Sequence, residues 1–87
     1  MSMTESVTGV YQTDDWSLKA WWSVSQQVWL VQVEHRLPER GGWIRAWLAA
    51  SDGSVARFGL LAEAVRAIGT FLEAPQWAGC LELSGVV

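Results

Sequence analysis

The stretch WSLKAWWSVSQQVWL, Trp16 to Leu30, decides how this chain folds, because it reads in two ways. As a helix it would be capped at Asp14 or Asp15, with Leu18, Trp21 and Trp22 on one face. That period fails past Trp22, where Ser25 and Gln26 stand at positions that should be apolar. As a strand it alternates: Leu18, Ala20, Trp22 and Val24 take one side, and Lys19, Trp21, Ser23 and Ser25 the other. Folding back about Gln26–Gln27, or about a loop from Ser25 to Val28, pairs Val24 with Trp29, Trp22 with Val31, Ala20 with Val33 and Leu18 with His35. On the opposite face Lys19 meets Glu34 and Trp21 meets Gln32. Apolar faces apolar and charge faces countercharge, as stable antiparallel pairs require. The stretch predicts a hairpin.

Working outward, VTGVYQT (Val7 to Thr13) is β-prone and reads as an edge strand, joined by the turn residues of TDDW. After the hairpin, LPERGG (Leu37 to Gly42) is loop chemistry, with a proline that a central strand rejects and two glycines. WIRAWLAA (Trp43 to Ala50) is short and precedes Asp52-Gly53, the strongest hairpin signal in the chain, so it reads as a strand with VARF (Val55 to Phe58) returning. GLLAEAVRAIGTFLEA is helical. Leu61, Ala64, Val65, Ile68, Phe71 and Leu72 form one apolar stripe, opposite Glu63, Arg66, Thr70 and Glu73. Pro75 ends it, and Gly69 inside it suggests close approach to the sheet. WAGCLELSG (Trp77 to Gly85) supplies a last short strand. The expected fold is α+β: an antiparallel meander of four to five strands with one amphipathic helix, about 60–73, on one face. Residues 1–87 read as a single domain, with residues 1–6 a flexible tail.

At 51% apolar and 17% charged residues, the chain is too apolar for disorder and too interrupted for a membrane span. The start MSMTESVTG has neither the charged nor the apolar part of a secretory signal. Its single cysteine, Cys80, allows no internal disulfide and no cysteine-based metal cluster. A cytoplasmic location is expected. The bias toward Ala, Gly, Val, Arg and Trp suggests a GC-rich bacterial coding sequence. A net charge of −3 with scattered basic residues argues against nucleic-acid binding, where phosphate contacts dominate.

Catalytic constellations are weak. His35, the only histidine, reads as a packed strand residue rather than a base, and Cys80 has no activating basic neighbour in sequence. Asp14 and Asp15 have too few ligands for calcium. Gly41-Gly42 lacks the residues of a phosphate loop. No catalytic residue, metal site or cofactor is expected, and the chain reads as a non-enzyme.

What stands out is seven tryptophans in 87 residues. A helix is about 10 Å wide and strands lie about 4.8 Å apart, so one helix covers two or three strands. The covered face should hold Trp22, Trp29, Val31, Val33, Ile44, Ala46 and Leu48. If the loop from Pro38 to Gly41 sets the next register, Arg36 pairs with Trp43, Glu34 with Arg45 and Gln32 with Trp47. The other face then shows a row Trp21–Gln32–Trp47, a charged row Lys19–Glu34–Arg45 and a corner Arg36–Trp43, near Val28 and Leu30. A shift of one residue in the third strand would send Trp43 and Trp47 to the core instead. Such an aromatic patch marks a binding surface. Lys19, Trp21, Leu30, Glu34, Trp43, Arg45 and Trp47 are therefore the expected partner-binding residues of a small interaction protein that forms a homodimer or docks a protein partner. One alternative is single-stranded nucleic-acid binding by tryptophan stacking, with Lys19, Arg36, Arg45 and Arg57 on phosphates. Another is a small-ligand pocket lined by tryptophan and His35.

Overall fold

The computed structural model describes residues 7–37, 39, 41–77 and 80–82. Five antiparallel strands lie in chain order: β1 (Val7–Gln12), β2 (Trp16–Ser23), β3 (Val28–Leu37), β4 (Gly42–Leu48) and β5 (Cys80–Glu82). One helix, α1 (Leu61–Glu73), packs against β2 and β3. The α+β meander read from the sequence is the fold observed. The tail expected over residues 1–6 lies outside the described residues.

The core forms where the alternation of β2 and β3 meets the apolar stripe of α1. Leu18, Ala20, Val31, Val33 and Ala64 have no exposure and Ile68 has 1%. Trp16, Trp29, Leu48, Phe58, Phe71 and Trp77 pack around them. Glu63, Arg66, Thr70 and Glu73 face solvent, so the helix buries the expected stripe. It stops at Glu73, and Ala74, the residue before Pro75, is pushed out of helical geometry (φ −150°, ψ 74°). Gly69 departs from expectation. It is exposed, and a Cβ there would meet nothing within 4 Å, so close packing does not explain it.

The hairpin register also differs. Trp22 pairs with Trp29, Ala20 with Val31, Leu18 with Val33 and Trp16 with His35, two residues from the expected pairing. The loop is Val24 to Gln27, one residue earlier than the expected four-residue loop. The Gln27 amide donates to the Ser23 carbonyl at 2.7 Å, and Gln27 takes a left-handed φ of 60°. The Ser23 hydroxyl accepts from the Gln26 amide at 3.3 Å. This turn brings Trp22 and Trp29 into ring contact, with centroids 5.4 Å apart. A shift of two keeps every residue of the paired strands on its expected face, while Val24, expected inward opposite Trp29, falls in the turn and is 49% exposed.

The β3–β4 register agrees with the sequence reading: Gln32 with Trp47, Glu34 with Arg45 and Arg36 with Trp43. Pro38 and Arg40 of the connecting loop lie outside the described residues. The hairpin expected at Asp52-Gly53 shrinks to a single bridge, Ala49 to Val55. Past Leu48 the chain leaves the sheet, turns at Gly53 (φ 88°) and returns to pair Phe58 with Trp29. Residues 55–58 are thus a lining segment beside β3 rather than a full strand.

Candidate interaction surface

The side of the sheet away from α1 is built by the other half of the alternation. β2 contributes Lys19 and Trp21, β3 contributes Leu30, Gln32 and Glu34, and β4 contributes Trp43, Arg45 and Trp47. Leu81 of β5 stands opposite Trp47. No other element covers this face among the described residues. All seven residues expected at a partner surface therefore lie on one side of the sheet, and Trp43 and Trp47 stay out of the core.

Their rows differ from expectation on the β2 side. Trp21 faces Leu30, and Lys19 faces Gln32, because the hairpin is shifted. The expected partners still meet, diagonally. The Trp21 indole Nε1 donates to Gln32 Oε1 at 2.8 Å, and Lys19 Nζ lies 3.6 Å from Glu34 Oε1. From the other side Arg45 Nε donates to Glu34 Oε2 at 3.2 Å. Glu34 is held between two cations with its side chain 15% exposed, whereas the Arg45 side chain is 64% exposed and presents its guanidinium outward. In water each such pair contributes only about 0.2–1 kcal/mol, so the stripe sets pattern more than stability.

Gln32 is buried although no element lies above it among the described residues, with Trp47 and Lys19 beside it on the neighbouring strands. Trp21 and Trp47 are half-buried, and Trp43 is 40% exposed. The patch is therefore a surface of aromatic edges and faces around a charged stripe, rather than three fully open indoles.

The remaining tryptophans belong to the other side. The Trp16 ring stacks on His35 at 4.1 Å and meets Phe71 edge-on at 5.1 Å, while Trp77 lies 5.9 Å from His35. His35 Nδ1 donates to the Asp15 carbonyl at 3.1 Å. The imidazole is a packed strand residue opposite Trp16, not opposite Leu18 as the expected register had it. Burial raises the pKa of the Cys80 thiol to about 11, so at neutral pH it carries its proton and is a poor nucleophile. Among the described residues no group of three His, Cys, Asp or Glu side chains is placed to hold a metal ion.

Of the four cations named for phosphate contacts, Lys19, Arg36 and Arg45 share the sheet face away from α1, Lys19 and Arg45 engaged by Glu34 and Arg36 exposed opposite Trp43. Arg57 lies away from that face and donates to Gln26 Oε1 at 2.8 Å. A groove of about 900 Å³ opens on the helix side, but neither a tryptophan nor His35 lines it. Sequence reading passes over this groove. Its only sequence signal is the density of alanine in residues 49–50, 56, 67 and 74. No helix among the described residues is long and apolar enough to cross a membrane. Compared with protein-family models, with curated proteins and with solved structures, the chain shows no match in any of the three.

Proposed function

We propose that this chain is a self-associating interaction protein whose two-fold dimer forms through the sheet face opposite α1. The observation that carries this reading is the self-complementarity of the β3–β4 register. Consider a two-fold axis between two such sheets, parallel to the strands and midway between β3 and β4. It seats Arg45 of each copy over Glu34 of the other, Trp47 over Gln32, and the exposed Trp43 over Arg36. Those are an ion pair, an indole on an amide and a cation–π contact. Sheets packed face to face with nearly aligned strands are a common arrangement, and two-fold pairing is the commonest closed symmetry.

The axis between β3 and β4 sets β2 to β5 of each copy against the other and leaves β1 unpaired. Four strands at about 4.8 Å and seven residues at about 3.3 Å give a face of roughly 440 Å² per copy, or about 900 Å² for the pair. That lies just under the roughly 1,000 Å² of stable specific interfaces and is the size of a weak dimer that dissociates on dilution. Tryptophan and arginine at the centre are the residues on which binding energy concentrates.

Light scattering across a concentration series is the test. The mass should approach twice the 9.6 kDa of one chain and fall on dilution. Arg45→Glu and Glu34→Arg chains should each be monomeric, because each places like charges across the axis. Mixed together, they should associate, since both cross-axis pairs become attractive. A monomer at every concentration overturns the reading, as does a mixture that behaves like its separate components.

A further inference from the structure

Between α1 and the segment from Leu48 to Phe58, the helix side of the molecule carries an open groove of about 900 Å³. Its origin is local. The stripe centred on Ala64 and Ile68 packs on the sheet, which leaves the flank of α1 carrying Ala67, Thr70 and Ala74 facing outward from the core. Opposite that flank β4 has ended, and Ala49 and Ala50 carry too little side chain to close the gap. From Glu63 to Glu73 the helix runs about 15 Å, at 1.5 Å per residue. The floor is apolar: Leu48, Ala56, Phe58, Ala67 and Phe71.

The polar groups are few and their balance is cationic. Arg57 is fixed by Gln26 and by the Val55 carbonyl, which accepts from Nη1 at 3.2 Å. Arg66 has neither a side-chain hydrogen bond nor an ion pair among the described residues. Glu63 is the one carboxylate in the lining, and it pairs with neither arginine. Two guanidinium groups against Glu63 leave the lining with one net positive charge on a chain of net charge −3, and with Arg57 beside Asp52 it is Arg66 that stands as the free cation of the groove among the described residues.

We propose that this groove binds a small amphiphilic carboxylate of the fatty-acid type. Its chain lies on the floor along α1, and its carboxylate accepts from Arg66, the geometry in which guanidinium binds carboxylate most strongly. The volume is that of a small-molecule site with an apolar lining and a few orienting polar groups. The groove lies on the opposite side of the sheet from the proposed dimer face, so the two proposals stand or fall separately.

The test is calorimetric titration of the full chain with sodium dodecanoate below its micelle threshold. Saturable binding of one molecule per chain is expected, roughly tenfold weaker in Arg66→Gln through loss of the charge-assisted bond. Dodecylammonium, with the same tail and the opposite charge, should bind at least as weakly as dodecanoate binds that variant. Ala67→Phe fills the trough and should abolish binding, with circular dichroism reporting an intact fold. The Arg45→Glu chain should bind dodecanoate like the unmodified protein. Absence of saturable binding overturns the proposal. So does equal affinity for the two amphiphiles, or binding that Arg66→Gln leaves unchanged.

Discussion

The indole N–H of Trp21 bonds the side-chain oxygen of Gln32 at 2.8 Å, although the backbone sets Trp21 opposite Leu30 and Gln32 opposite Lys19. The bond is diagonal, and it satisfies an amide that its neighbours have shut off from water. A buried acceptor left without a donor costs about 1–3 kcal/mol, so this contact is a stability feature of the face as well as part of its pattern. It also holds the Trp21 ring in one orientation.

Trp21→Phe should therefore destabilise the chain by about 1–2 kcal/mol, the expected cost of stranding the Gln32 amide. Adding Gln32→Met should recover part of that loss. Urea unfolding of both single variants and the double variant gives the coupling directly. Additive losses would mean that the hydrogen bond contributes nothing beyond packing.

Gly69 sits inside α1, exposed, with open space where an alanine methyl group would stand and without a positive φ. Gly69→Ala should raise stability by about 0.5–1 kcal/mol, because alanine restricts the unfolded chain and suits the helix. A higher midpoint in urea at unchanged slope is the expected signature.

The first residue before α1, Leu60, is 63% exposed and supplies no side-chain cap, while Glu63 stands three residues on. Leu60→Ser would complete a capping box with Glu63 and stabilise the helix by about 1 kcal/mol. Thermal unfolding reads this out, and an unchanged midpoint would show that the N-terminal turn is already satisfied by other means.

Cys80 should react slowly with a disulfide reagent at pH 8 in the folded protein and quickly in denaturant. Burial raises its pKa to about 11, so the folded state holds its proton above the range where an unfolded thiol loses it. The sign for stability follows: this contribution is complete below the unfolded value and is lost as pH rises toward 11. Cys80→Ala should flatten that alkaline slope.

Asp52 accepts from the Ser54 hydroxyl at 2.6 Å and the Ser54 amide at 2.9 Å. These bonds, the hydroxyl first, hold its carboxyl below the ordinary aspartate range, with a smaller contribution from the Arg57 charge. The associated stability is present above the unfolded value and lost as pH falls through the lowered one. A carboxyl titration by NMR should place Asp52 below the ordinary value in the native chain and closer to it, though still below, in Ser54→Ala, which loses the hydroxyl bond and keeps the amide bond and the Arg57 charge.

Much of this was legible in the chain because side-chain parity is a local property. Leu18 and Ala20 face the helix, and Lys19 and Trp21 face away, whichever of two registers the hairpin takes. The actual register depends on the turn. Gln27 adopts a left-handed conformation that glycine or asparagine would ordinarily supply, and the Trp22–Trp29 contact supports it. The departure of the chain after Leu48 was hidden for a similar reason. Asp52-Gly53 does make its tight turn, but Phe58 is drawn to Trp29 and the core rather than along β4. The groove, too, depends on which flank of α1 faces the departing segment.

The residue pattern alone set the helix, the order of the strands, the inward sides of β2, β3 and α1 and the pairing of Lys19 with Glu34, because periodicity and opposite charge act between near neighbours. It read residues 55–58 as a strand, however, and left the side of Trp43 and Trp47 to the register of β4. Only the tertiary structure decided the pairing of Trp22, the burial of Gln32 and the space beside Ala67. Each of those depends on how the turn at Gln27 and the loop beyond Leu48 distribute backbone hydrogen bonds against packing of the aromatic rings, a balance set by the whole fold.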